Sequence, residues 1–277
     1  QFTVVHVTMV LVTGVRKNLN HITVGTDSMS WSGLLIAGLG LSLVAVAWAW
    51  ASPFTLKHAR LVQRIGTKVV GGLKGLMEYW DPKTQYNKSD IAPFLWPNGL
   101  VPQTEEFNDI LADNYARYKL AVGGLVENAA EFSYSQLQAM PKKEQITAHY
   151  CIQGWSGVAQ WGGVPMSHLL NLVKPLPQAR FVVFYSFGEG GHGGTYYDVH
   201  KLENMKHEMT ILAYEMNGQP LRVLYGAPLR LRCENELGFK MVKWVRSIEF
   251  VENFSGIGSG QGGYNEDHEF YGNRMPI

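Results

Sequence analysis

The chain has 277 residues, 46% of them hydrophobic and 12% aromatic, enough apolar mass to bury a large core and carry an appendage. Lys and Arg number 24 against 23 Asp and Glu, so there is no basic excess to meet phosphates, and nucleic acid is excluded as a main partner. Two cysteines, Cys151 and Cys233, are too few for a disulfide scaffold or a zinc ribbon, although one bridge between them stays open if the domain is exported.

The chain opens on Gln1 rather than Met, as expected where upstream residues are missing or removed. Phe2 to Val15 is apolar and β-branched but too short to span a bilayer alone, and it reads as the end of a cropped membrane helix. His6 and His21 invite a haem-ligand reading, against which a helix-lining and a loop histidine is the simpler one. From Leu34 to Ala51 only Ser42 is polar, Trp31 leads in, and Trp48 and Trp50 close the run like an interfacial belt. A transmembrane helix over about residues 32–52 is predicted, in preference to a signal peptide or a buried core helix. Lys57 to Tyr79 sets Lys57, Arg60, Arg64, Lys68 and Lys74 among apolar residues at helical spacing, an amphipathic stretch suited to anionic headgroups. Its charges argue for a cytoplasmic side, and Arg16 and Lys17 argue more weakly for the other.

Trp80 to Pro102, rich in Pro, Asn and aromatic residues, reads as a linker. The predicted organisation is membrane segments in residues 1–56, an amphipathic stretch and linker in 57–91, and a soluble domain in 92–277. In that domain a short helix is expected at Phe107–Tyr115, a strand at Lys119–Val122 ending in a Gly123-Gly124 turn, and a helix at Tyr134–Met140 with Ser133 as N-cap. Further on come a helix at Ser167–Val173, a buried strand at Arg180–Phe187 and a mobile loop at Gly188–Gly194. That loop lacks the Lys-Ser/Thr and following helix of a phosphate-binding loop, so a pocket-lining role is preferred. Ile211–Tyr214 and Leu221–Val223 flank Asn217-Gly218 as a hairpin. Leu229–Cys233 and Val242–Val251 alternate as strands. A glycine-rich stretch, Ser255–Gly263, precedes a polar, aromatic segment to Ile277. The fold class read from this pattern is α+β, mostly β.

One stretch stands out for chemistry: His149-Tyr150-Cys151-Ile152-Gln153-Gly154-Trp155-Ser156-Gly157, running on to Trp161-Gly162-Gly163-Val164-Pro165. A buried cysteine is usually a small hydrophobe. Here Gly154 and Gly157 allow close backbone approach, Trp155 and Trp161 can wall a pocket, and His149 and Gln153 flank the thiol. A thiolate serves as nucleophile or as soft metal ligand. His149, His168, His192, His200 and His207 are available as a general base, but none has a protease-type context, and a zinc or copper site lacks further close ligands.

That stretch, followed by Asn217-Gly218-Gln219-Pro220-Leu221, Gly226-Ala227-Pro228-Leu229-Arg230-Leu231 and Gly238-Phe239-Lys240-Met241-Val242-Lys243-Trp244, resembles the molybdopterin-binding domain of the sulfite oxidase superfamily. The resemblance covers about residues 92–277 and is nearest to the bacterial membrane-anchored branch that includes the catalytic subunit of periplasmic methionine sulfoxide reductase. It implies a sulfite-oxidase-type fold and a molybdenum-molybdopterin cofactor, with Cys151 as the metal ligand. By the same resemblance Arg230, Lys243, Met241 and Val242 hold the pterin phosphate, and Asn98, His149 and Ser186 are further cofactor contacts. Gln153, Trp155, His192 and Tyr197 are candidates for the substrate face. A thiolate suits high-valent molybdenum, and a buried dianion needs cationic partners.

Three departures narrow the reading. The methionine sulfoxide reductase branch has Glu where this chain has Gln153, which hydrogen-bonds but carries no proton, and it has Asn where this chain has Tyr225. Sulfite oxidases place arginines after the cysteine, and Ser156 to Gln160 supplies none. The expected function is a membrane-anchored molybdopterin oxidoreductase exchanging electrons with a haem- or quinone-linked membrane partner, its soluble domain on the periplasmic side of the cytoplasmic membrane. The alternative is a non-catalytic subunit of a larger membrane complex that keeps the fold.

Overall fold

The computed structural model describes residues 2–78 and 86–269. Expectations for the side chains of His6, Leu73, Lys74 and Leu76, for residues 79–85 and for the segment after Glu269 fall outside the described residues. The chain divides into two compact units, Gln1–Arg64 and Ile65–Ile277.

In the first unit, helices α1 (Phe2–Val24) and α2 (Ser32–Lys57) pack as a hairpin. Gly14, at φ 113° and ψ 102°, interrupts α1 with a conformation open chiefly to glycine. Asn20 is fully buried and organises the connection. Its Nδ2 donates to the carbonyls of Arg16, Ser28 and Ser30, and its Oδ1 accepts from the Ser30 and Ser32 hydroxyls and the Gly33 amide. One orphan N–H at the start of α2, that of Gly33, is thus met by a side chain of α1. With 26 residues and a mean hydropathy of 2.1 over its most apolar window, α2 is long and apolar enough to cross a membrane. It outruns the predicted 32–52 because Pro53 is accommodated inside the helix. The next helix, α3 (Ala59–Glu78), leaves Leu61, Ile65 and Val69 exposed.

The second unit is built on two five-stranded sheets, with short helices α4 (Glu105–Ala112), α5 (Tyr134–Ala139), α6 (Met166–Val173), α7 (Leu202–Lys206) and α8 (Tyr264–His268). The first sheet has the order β2 (Ala130–Ser133), β1 (Lys119–Gly124), β10 (Val245–Val251), β5 (Phe181–Glu189), β6 (Thr195–Lys201). Here β1 and β10 run parallel, closing the domain's two ends onto each other, and the other pairs are antiparallel. The second sheet runs β3 (Lys143–Tyr150), β4 (Ser156–Pro165), β7 (Ile211–Met216), β8 (Gln219–Pro220), with β9 (Arg230–Arg232) also paired to β7. The largest core cluster includes Phe107, Tyr118, Leu120, Phe184, Leu212 and Phe250. This is an α+β, mostly β architecture.

Local signals translate directly. Ser133 caps α5 in a reciprocal capping box with Gln136, and Thr104 caps α4. Asn217 and Gly218, at φ 53° and 72°, make the two-residue hairpin turn. Three expectations are corrected by pairing. Gly123 and Gly124 continue β1 against β10 rather than turning, and Gly188 and Glu189 belong to β5 rather than to a loop. The partner of β7 across the turn is Gln219–Pro220, while Val223–Tyr225 forms a 3-10 turn. Residues 242–244 do not extend β10, because Trp244 takes a positive φ of 52°.

Candidate active site

The β3–β4 hairpin explains where Cys151 sits. Tyr150 and Ser156 form the last cross-strand pair, and the loop between them closes by Cys151 N–H donating to Trp155 O at 2.9 Å and Gly154 N–H donating to Cys151 O at 3.0 Å. Gly154 takes a φ of 89°, which this closure requires. The thiol is therefore held at the end of a strand rather than on a free loop, and Cys151 is 8% exposed.

It lines a cavity of about 720 Å³ whose wall is drawn from distant parts of the second unit. The 95–104 segment contributes Trp96 and Asn98, the first sheet Ser186 and Tyr196, the second sheet His149, Trp161 and Arg230, and the 238–244 turn Met241 and Lys243. From the C-terminal side come Tyr264 and Asn265.

The wall is cationic. Arg230 is 5% exposed, donates to Tyr225 O at 3.0 Å and lies 4.8 Å from the Trp161 ring centre. Its Nε is buried with no hydrogen-bond partner among the described residues. Burial, reinforced by Arg232, pushes its pKa down to about 9. Lys243 donates to the carbonyls of Asn98 and of Leu224, and burial followed by the Arg230 charge lowers its pKa to about 7. His149 is held neutral, pushed down to about 2 by burial and then by Arg232, Arg230 and Lys243. Glu189 is the single carboxylate among the described lining residues. Cations held close together in a poorly solvated wall without matching acids favour an anionic occupant.

The predicted residues divide accordingly. Cys151, His149, Trp155, Asn98, Ser186, Arg230, Met241 and Lys243 all line the cavity. The Ser186 hydroxyl donates to Lys243 O at 2.7 Å and accepts from the Gly188 amide at 2.8 Å, so it also ties β5 to the lysine's segment. Gln153 is outside the lining, but its Oε1 accepts from the Trp155 indole at 3.3 Å and lies 3.9 Å from the Cys151 sulfur. Val242 is buried behind the wall, its carbonyl accepting from Leu231 N–H. His192 is exposed, stacked 4.8 Å from His268, with Glu269 at 3.5 Å. Tyr197 points away and donates to Asp267.

Its neighbour Tyr196 is the residue that faces the cavity, because adjacent strand residues point to opposite faces. Arg232 was also not among the predicted site residues. It is fully buried, pairs with Glu234 at 2.6 Å, donates to His149 Nδ1 at 2.7 Å and stacks 4.4 Å from the Trp161 ring centre. Because arginine only donates, His149 Nδ1 is the acceptor and the ring proton sits on Nε2. The period-two pattern of Leu229–Cys233 carried the signal, since it puts Arg230 and Arg232 on one face. Nothing local pointed to Tyr264 and Asn265.

The two-sheet domain thus brings one thiol to a cation-lined cavity able to take an anionic group. The oxidoreductase molybdopterin binding domain model matches residues 107–256, more than half of the chain, and the chain belongs to that family. It is 30% identical over 191 residues to YedZ1 of Azospira oryzae, named as a candidate protein-methionine-sulfoxide reductase subunit, covering 67% of this chain and 68% of that protein. It is 31% identical over 145 residues to the protein-methionine-sulfoxide reductase catalytic subunit MsrP of Xanthomonas axonopodis pv. citri, covering 49% of this chain and 45% of that one. The sulfane dehydrogenase SoxCD of Paracoccus pantotrophus overlaps with a TM-score of 0.45 at 23% identity, over 50% of this chain and 39% of that one. The chain is an oxidoreductase of the molybdopterin-binding class, and the family implies a molybdenum-pterin cofactor.

The residues present fit such a group. The unpartnered Nε of Arg230 and the lowered pKa of Lys243 call for an anion at one part of the wall, and Cys151 offers the soft ligand at another.

Proposed function

We propose that this chain is a membrane-anchored oxidoreductase in which Cys151 ligates molybdenum and Arg230 and Lys243 hold the anionic end of the pterin. Residues 92–277 are the catalytic domain, 57–91 the amphipathic stretch and linker, and 1–56 the membrane segments. The observation that carries this reading is the convergence of Arg230, Lys243 and neutral His149 with Cys151 on one cavity wall.

When bound, the group supplies a two-electron redox centre able to give or take an oxygen atom. The chain's own part is positional. His149, its tautomer set by Arg232, presents an Nε2–H as a donor. Trp155, whose carbonyl accepts from Cys151 N–H, supplies apolar surface beside the cysteine, Trp96 lines the same cavity, and Trp161 stacks under Arg230 and Arg232. Asn98, Ser186, Met241 and Val242 shape the segment around Lys243. Gln153, anchored to Trp155, offers an amide near the sulfur but no exchangeable acid. His192 and Tyr197 keep no direct role in this reading.

The relatives' names make methionine sulfoxide in proteins the first substrate class to test. Its reduction consumes two electrons and two protons and yields the methionine thioether and water, with electrons arriving from a haem- or quinone-linked membrane partner. The soluble domain is assigned to the outer side of the cytoplasmic membrane. Protease added to spheroplasts is expected to cut it there, and full protection overturns that assignment. For the site itself, Cys151→Ser is expected to abolish the thiolate-to-metal absorption of the purified chain and to lower its molybdenum content. An unchanged spectrum and metal content would refute the ligand assignment.

A further inference from the structure

The cavity is completed by a segment beyond the region matched by the family model. Residues 107–256 carry that match, while Tyr264 and Asn265 on α8 line the cavity from the C-terminal side. Tyr264 is 4% exposed. Its hydroxyl accepts from His192 N–H at 2.7 Å and donates to Gly193 O at 3.0 Å, tying α8 to the 190–194 turn. A methyl group on Gly190 would fall inside the Tyr264 ring, so ring and turn are in closest approach. Next to it, Asn265 Nδ2 donates to the Tyr196 hydroxyl at 3.0 Å, and that hydroxyl donates to Phe239 O at 2.7 Å.

Tyr264 also packs with Val183 and Val199 in a buried cluster, and a five-residue helix gains a further, ionic seat. Lys240 Nζ is paired with both Asp198 and Glu266, and all three side chains are at most 1% exposed. Asp198 belongs to β6, Lys240 to the turn that carries Phe239 and Met241, and Glu266 to α8, so one buried cluster joins three cavity-forming segments. Removing one partner of such a cluster leaves a buried charge poorly compensated and loosens the elements it joins.

We propose that α8 is the wall that limits which molecules reach Cys151, with Tyr264 as its face and Glu266 as the positioning residue that seats it through Lys240. This gives meaning to the proposed function only if Cys151 is the reacting centre. The test, however, uses neither cofactor nor turnover, so a failed metal assignment leaves it readable.

The full chain, purified without cofactor, holds two thiols of opposite character. Cys151 lines the cavity, and Cys233 is fully buried and serves as an internal reporter of unfolding. Modification rates at Cys151 are compared for iodoacetamide and for a maleimide on a bulky fluorophore, with both cysteines followed by mass spectrometry. Tyr264→Ala is expected to raise the bulky-to-small rate ratio by about tenfold through local opening while Cys233 stays protected. Glu266→Ala is expected to do the same. Glu266→Gln keeps an acceptor for Lys240 and leaves Asp198 to balance its charge, and it is expected to restore the wild-type ratio. Should Tyr264→Ala expose Cys233, Tyr264→Leu, which keeps more of the volume over Gly190, is read in its place. A ratio within about twofold of wild type in the folded Tyr264 variant or in Glu266→Ala would falsify the proposal.

Discussion

Lys243 shows what a single side chain contributes to this site. Its ammonium donates to two carbonyls, yet burial and the neighbouring Arg230 lower its pKa from 10.5 to about 7. In the unfolded chain it stays protonated up to its ordinary value, so between about pH 7 and 10.5 the unfolded state binds more protons. Stability therefore rises with pH across that window, and the penalty is fully present below about pH 7. Arg230, lowered from 12.5 to about 9, adds the same trend higher up. The cofactor-free chain is expected to show a melting temperature that increases from pH 7 to 9.5, and Lys243→Met should flatten that slope. An equal slope in the variant would mean that the charge penalty lies elsewhere. Arg230 and Lys243 were singled out in the sequence through the family resemblance, whereas Arg232 was not, although strand alternation sets it on the same face as Arg230. Tyr196 was not either: choosing between it and the expected Tyr197 needs the face of β6, which the register against β5 decides.

At the scale of elements, local chemistry and pairing divide the outcome. Caps and the Asn217-Gly218 turn are properties of a few neighbouring residues, and they appear where expected. Strand ends are not local. Gly123 and Gly124 look like a turn, but both pair with β10, Gly124 at a φ of 81° opposite Phe250, while Gly188 stays in β5 within the irregular register between Tyr185 and Glu189, and the apolar run at Leu221–Val223 loses its place because Gln219 and Pro220 already complete the hairpin. Gly163 marks where backbone comes closest: a methyl there would meet the Leu212 carbonyl and the Ala213 backbone, beside the β-bulge between β4 and β7. Gly163→Ala has to shift one strand against the other, and a loss of about 1–3 kcal/mol is expected in denaturant unfolding. Gly123→Ala meets nothing within 4 Å and is expected to be near neutral, within about 0.5 kcal/mol. Comparable losses from both would remove the close-approach explanation.

For the whole molecule, the two units carry different solvents in their surfaces. In α2, Leu35, Leu39, Leu43, Val46 and Trp50 are exposed along a 26-residue helix whose single charge is Lys57 at its end, whereas the second unit buries a large apolar cluster around its two sheets. The intact chain is expected in the membrane fraction, resistant to alkaline carbonate. A version starting at residue 86 should be released to the soluble fraction, and if it stays in the membrane the anchor lies outside α1 to α3. Composition and periodicity alone settled the apolar helix, the mostly β class and the cysteine worth watching, because these follow from side-chain types within a few residues of each other. Only the tertiary structure decided which side chains share the cavity. Cys151, Arg230, Lys243 and Tyr264 lie on four different segments, brought together by the pairing of β3, β4, β7 and β9 and by Lys240, which is ion-paired with Glu266 of α8. Those contacts span long stretches of chain, and no local pattern specifies them.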